Sequence, residues 1–170
     1  MTEIVPPSSA IGDYELGENV GYLVGRVTSA LTHLVTQRTL AELDITATQG
    51  RTLYMVASGR CVLAVELARE FGTDASAVTR LIDRLAQREL LTRERSTTDR
   101  RVVRLAVTPD GQAIAARMPA IFNDVLDRML SGFTPEEVGF LKNMLRRLLA
   151  NHAQSIEINH VTATNFDRNS

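Results

Sequence analysis

Two periodicities divide the chain. Long stretches repeat apolar residues every three or four positions, as amphipathic helices do, and a short stretch around residue 100 alternates them, as strands do. From Leu16 onward, Val20, Leu23, Val24, Val27, Leu31, Leu34 and Val35 keep helical phase, with Glu15, Glu18, Arg26, Gln37 and Arg38 mostly off the stripe. Asp44 and Ile45 end this long first helix. Thr46, with Gln49 three residues on, forms a capping box that opens a second helix through Val56, closed by Gly59. A short third helix spans Ala64 to Phe71, with Val65, Leu67 and Ala68 as its apolar contacts and no good N-cap. Gly72 stands where a C′ glycine lets the chain turn, and Thr73 is expected to cap the helix that follows.

That fourth helix has two unlike faces. Val78, Leu81, Ile82 and Leu85 share one stripe, which must be buried. Ser76, Thr79, Arg80, Asp83, Arg84 and Gln87 share the other, offering hydroxyls, guanidinium forks and an amide, the groups that pair with base edges and phosphates. Leu90–Arg95 and Val102–Val107 then read as paired strands, joined through Ser96, Thr97, Thr98, Asp99 and Arg100 as a polar hairpin tip. Arg100 and Arg101 at that tip suit a narrow, strongly negative minor groove, with Asp99 placed to hold one fork. Helix, glycine turn, helix and hairpin make a winged helix-turn-helix, so duplex DNA is the expected partner.

The C-terminal third returns to helices. Thr108 and Pro109 supply an N-cap and N1 proline for a helix whose stripe is Ile114, Met118, Ile121, Phe122, Val125 and Met129, with Pro119 expected to kink it. After Gly132, Thr134, Pro135, Glu136 and Glu137 start a last helix, with Val138, Leu141, Met144, Leu145 and Leu148 in phase. The fold class is therefore mainly α with a small β-hairpin wing. Its expected organisation is a disordered leader (1–13), a winged helix-turn-helix (46–108) flanked by dimerisation helices (14–45 and 109–153), and a polar tail (154–170).

Charge sharpens the location of the interface. Residues 76–104 hold eight arginines against four acids, a balance of +4, so the rest of a chain of formal charge −1 carries −5. A basic patch on an acidic body focuses a polyanion at one surface. Eighteen arginines against one lysine, Lys142, fit bidentate contacts or a genomic bias equally. The lack of tryptophan, with 5% aromatics, offers no stacking platform for single strands. No apolar run spans a bilayer and Met1–Ser9 has no signal-peptide pattern, so no membrane role and a cytoplasmic location are expected. A single cysteine, Cys61, excludes an intramolecular disulfide. It and His33, His152 and His160 lack metal-ligand spacing, and no cofactor is expected. An enzyme would need Cys61, His33 and an aspartate as a relay, yet no nucleophile elbow or phosphate cradle accompanies them.

Several strings carry a resemblance. Thr46-Ala47-Thr48-Gln49, Glu66-Leu67-Ala68, the run Val78 to Leu85, Asp99-Arg100-Arg101 and Leu105 to Gly111 together resemble the MarR family of bacterial transcriptional regulators over roughly residues 15 to 150. The resemblance implies a homodimer reading a pseudo-palindrome, one helix per half-site in the major groove and each wing in the minor groove. It implies Ser76, Ala77, Thr79, Arg80 and Arg84 as the DNA-facing positions, Thr98, Asp99, Arg100 and Arg101 as the wing, and Arg101 as its principal arginine. It also implies control by a small aromatic carboxylate or phenol, most simply as a repressor released by that effector.

The implied effector site lies between the first helix, the dimerisation helices and the winged domain. His33, Arg38, Arg51 and Tyr54 offer a cation and hydrogen bonds there, with Met55 as an apolar wall. Plainer roles compete: a satisfied or exposed His33, and an Arg51 paired with a glutamate such as Glu42. Some oxidation-sensing members keep a cysteine in the first helix; this chain has none, and Cys61 reads as a small buried hydrophobe. A ligand-independent regulator and a winged-helix protein-interaction adaptor are the alternative functions.

Overall fold

Caps decide where the helices begin. The computed structural model describes residues 16–95 and 103–166. After a 3-10 turn at Leu16–Glu18, the Asn19 side chain accepts the Tyr22 N–H and opens α1, Val20–Leu43. The Thr46 hydroxyl and the Gln49 amide exchange hydrogen bonds with each other's backbone N–H at the start of α2, Ala47–Ala57. Helix α3, Ala64–Phe71, follows Leu63, whose side chain accepts nothing. Instead the Glu66 carboxylate reaches back to the N–H groups of Val62 and Leu63, at 2.7 and 2.9 Å, and supplies the missing cap.

Gly72, at φ +60, ends α3 in the left-handed conformation and turns the chain into α4, Ala75–Gln87. The cap of α4 is Asp74 rather than Thr73: its Oδ1 accepts the Ala77 N–H at 2.8 Å. A carboxylate there also meets the positive end of the helix dipole, which a threonine hydroxyl does only weakly. Strands β1, Leu91–Arg95, and β2, Val103–Val107, pair antiparallel with Arg93 opposite Leu105 and Glu94 opposite Arg104. The Leu105 N–H also donates to the Val62 carbonyl at 2.8 Å, so the α2–α3 link lies along the hairpin like a rudimentary third strand.

Helix α5, Pro109–Met129, starts against the end of α4. Thr108 Oγ1 donates to the Glu89 carbonyl and accepts the Gly111 N–H, while the Thr108 N–H donates to the Leu90 carbonyl. A Cβ at position 111 would lie 1.9 Å from the Leu90 oxygen, which is why this turn carries glycine. Helix α6, Pro135–Phe166, opens with a reciprocal Thr134–Glu137 box. It continues well beyond the expected end of ordered structure near residue 153; no glycine or proline after Gly139 interrupts it.

The chain forms two compact units that divide between Leu126 and Asp127. In the first, Ile45, Leu53, Leu67, Val78, Ile82, Leu85 and Met118 are almost wholly out of water. Each such side chain stabilises the fold by about 1.5–3 kcal/mol relative to exposure. Thr39 and Thr52 are equally buried, their hydroxyls donating to the Thr36 and Thr48 carbonyls. The apolar stripe of α1 divides: Val35 is buried, whereas Val20, Leu23, Val24 and Val27 face solvent. In the second unit Phe140, Met144, Leu145, Leu148 and Leu149 are exposed on α6.

Candidate nucleic-acid interface

The buried stripe of α4 fixes which residues it shows to the outside. With Val78, Ile82 and Leu85 buried, Ser76, Thr79, Arg80 and Arg84 are exposed, and Ala77 is half-buried between the two faces. The outer face is internally organised. Arg80 Nη1 donates to Ser76 Oγ at 3.1 Å, and Ser76 Oγ donates to Asp74 Oδ1. Those contacts hold the Asp74 carboxyl below its ordinary range, the Ser76 hydroxyl contributing most and the Ala77 N–H next. Thr79 bonds back to the Ala75 carbonyl. At the other end Arg93 on β1 grips Asp83 at 2.6 Å, tying the hairpin base to α4. Thr98, Asp99, Arg100 and Arg101 lie outside the described residues.

On its inner side α4 walls a cavity of about 920 Å³. Thr28, Leu31, Thr32 and Val35 of α1 form one wall, α2 and its cap another, and Phe71, Phe122 and Leu126 close it, with Ala77, Val78, Leu81 and Arg84 from α4. Arg51, Tyr54 and Met55 line this space; His33 and Arg38 do not. On α1, Thr32 and Val35 face the cavity, and His33 sits one residue, about 100°, round the helix from Thr32. Arg38 is drawn away to Glu42 and Asp124, at 2.6 and 3.0 Å. The Glu42 carboxyl is correspondingly lowered, mainly by Arg38.

Arg51 does not pair with Glu42, which is held by Arg38 and Arg117; it pairs with Glu70 at 3.0 Å and stacks over Phe71 with its guanidinium carbon 4.7 Å from the ring centre. Arg84 is both exposed on α4 and part of the cavity lining. Phe71, Phe122 and the threonines Thr28 and Thr32 were not foreseen, because three separate helices, α3, α5 and α1, bring them together. Cys61 is buried, and burial, aided by Glu70 and Glu66, pushes its thiol up. Among the described residues no cluster of acidic, histidine and cysteine side chains is set to hold a metal, and no helix is long and apolar enough to cross a membrane.

Similarity to known proteins agrees with this geometry. The MarR family profile matches residues 45–103, from just before α2 to the first residue of β2. The multiple antibiotic resistance protein MarR of Salmonella typhimurium is 34% identical over 113 residues, 65% of this chain and 77% of that protein. The chain belongs to the MarR family. It is thus a MarR-family DNA-binding transcriptional regulator. Among solved structures, a variant of Escherichia coli MarR complexed with operator DNA superposes with a TM-score of 0.68 at 29% identity, covering 76% of this chain and 93% of that one. Bordetella bronchiseptica BpsR, described with regulation of its DNA binding by 6-hydroxynicotinic acid, has a TM-score of 0.67 at 27% identity, covering 81% and 97%. For this MarR-family chain the outer face of α4 is the surface to test first.

Proposed function

We propose that this MarR-family regulator acts in the cytoplasm as a homodimeric repressor that reads a pseudo-palindromic operator and is released by a small aromatic carboxylate or phenol. Ser76, Ala77, Thr79, Arg80 and Arg84 meet the major groove in this reading, and Thr98, Asp99, Arg100 and Arg101 the minor groove. The exposed apolar residues of α1 and, separately, of α6 are the surfaces a second copy covers. Both recognition helices must then sit one DNA turn, about 34 Å, apart.

The observation that carries the effector reading is the cavity on the inner side of α4. Its occupant touches Ala77, Val78, Leu81 and Arg84 on the same helix whose outer face is to enter the groove. An occupant that prefers one pose of α4 shifts DNA affinity by that preference. Arg51, Arg84 and Tyr54 offer cations and a hydroxyl to an anionic ring, and Met55, Phe71 and Phe122 offer apolar walls. The 6-hydroxynicotinic acid named for BpsR is a compound of this class.

The test begins by selecting a duplex from a random pool with the purified protein. That duplex is then titrated with 6-hydroxynicotinate, salicylate, benzoate and simple phenols, following anisotropy. Release by one of these, weakened in Arg51→Ala and Tyr54→Phe, is expected. Because Arg51 is already engaged by Glu70 and Phe71, the second reading is a ligand-independent regulator; indifference of the complex to the whole panel selects it.

A further inference from the structure

Arg88 caps the C-terminal end of α4, and its side chain leaves that helix for another. Nη1 donates to the backbone carbonyl of Asp44 at 2.6 Å and Nη2 to Asp44 Oδ2 at 3.0 Å, across 44 residues of sequence. Asp44 is the C-cap of α1, held left-handed at φ 53 with its own N–H donating to Leu40 O. The guanidinium therefore stands at the carbonyl end of α1, whose dipole attracts a cation, while the backbone N–H of the same residue caps α4. The backbone and side-chain oxygens take both tines of its planar fork, so it fixes an orientation as well as a distance.

The last turn of α1 is anchored on its other side. Arg117 of α5 donates to Glu42 Oε2 at 2.7 Å, and Arg38 joins Glu42 to Asp124 of α5. Residues 38–44 thus form a joint with α5 on one side and the C-terminal end of the recognition helix on the other. We propose that Arg88 and Asp44 are positioning residues for DNA reading: the clamp sets the pose of α4 against the α1–α5 scaffold, and so the tolerance of the protein for half-site spacing. Arg88 acts here through α4 and not as a phosphate contact. The inference rests on the dimeric, two-half-site reading above.

The experiment uses the full chain and the selected duplex, with companion duplexes whose half-sites are one base pair closer or farther apart. Arg88→Ala, Arg88→Gln and Asp44→Ala are compared with the parent for affinity, for discrimination among the three spacings and for the salt dependence of binding. Arg88 is 38% and Asp44 89% exposed at the side chain, so unfolding of every variant is not expected; melting curves check this. Each variant should bind the parent duplex about 3- to 10-fold more weakly, lose most of the spacing discrimination and keep the parent salt slope. The double variant should be no worse than Arg88→Ala alone, because Asp44→Ala leaves Arg88 only its bond to the backbone carbonyl.

A salt slope that falls by about one for Arg88→Ala, with tighter binding by Asp44→Ala, would make Arg88 a phosphate contact that Asp44 restrains, and overturns the clamp. Variants that discriminate spacing as the parent does overturn it too. If the parent itself ignores spacing, the two-half-site reading falls and the clamp falls with it.

Discussion

Helices α4 and α1 each carry an apolar stripe, and the two stripes meet opposite fates. Val78, Ile82 and Leu85 of α4 are covered by their own chain, whereas Val20, Leu23, Val24 and Val27 of α1 remain in water until the helix reaches Val35. A helical period thus states that a face must be covered and is silent about the molecule that covers it. The covered stripe holds the proposed reading surface in place; the open one is the side of α1 from which assembly is proposed.

The covered half of this comparison breaks most sharply at Gly111. Here α5 starts against the Leu90 carbonyl, and a methyl group would meet rigid backbone 1.9 Å away. Gly111→Ala should cost about 3 kcal/mol or more in urea unfolding. Gly50→Ala should cost about 1 kcal/mol, since its nearest obstacles at 2.5 and 2.6 Å are the mobile end of Met118. Equal losses at the two sites would mean that the α5 start can yield. Next in size is Ile82→Ala, expected to cost about 2–3 kcal/mol at any protein concentration, because Ile82 is 1% exposed within its own chain. Val27→Glu should leave monomer unfolding within about 0.5 kcal/mol while shifting the mass seen by light scattering towards monomer. A Val27 variant that stays dimeric would remove α1 from the assembly surface.

The contrast also explains which features were legible from residues alone. Local rules identified the Thr46–Gln49 box, the Gly72 turn, the two faces of α4 and the Thr134 start, because each is decided within a few residues. Asp74 as the cap of α4 was a one-residue correction of the same kind. Glu66 capping α3 from inside the helix was less visible, because the acceptor comes from N3 and the cap residue is a leucine. The cavity was only half legible: Arg51, Tyr54 and Met55 share a helix, but Phe71, Phe122, Thr28 and Thr32 join them through packing. His33 and Arg38 lie outside the cavity lining for a similar reason. Helical phase turns the first aside, and partners 4 and 86 residues away, Glu42 and Asp124, claim the second. The Arg88–Asp44 fork, 44 residues apart, left no trace in any window.

A smaller change tests how tightly the covered region is held. Glu89 follows α4 at φ 57, a conformation that strains an L side chain by about 1 kcal/mol, while its carbonyl accepts Thr108 Oγ1. Glu89→Gly keeps that carbonyl and relieves the strain, so stability should rise by up to about 1 kcal/mol in urea, with the fold unchanged. A loss would mean that the glutamate side chain contributes more than its backbone costs.

The smallest expected effect is acid sensitivity, and it separates the ends of the two helices. Asp74 at the start of α4 and Glu42 near the end of α1 are both held below the ordinary carboxylate range, the first chiefly by Ser76 and the second chiefly by Arg38. Folding that lowers a carboxyl pKa adds stability that is complete above the unfolded value, about 4, and disappears as the pH falls through the lower folded value. Melting temperatures should therefore be flat in this respect near neutrality and decline below about pH 4. Asp74→Asn keeps an N-cap acceptor but cannot titrate, and Glu42→Gln removes the charge between Arg38 and Arg117. Each should flatten the acid limb slightly without moving its onset above pH 5. Because both groups are exposed, water and salt screen their interactions, and 0.5 M salt should shrink the difference from the parent. A Glu42→Gln curve that matches the parent at every pH and salt would show that the α1–α5 joint is held by packing around Thr39 and Met118 and not by its ion pairs.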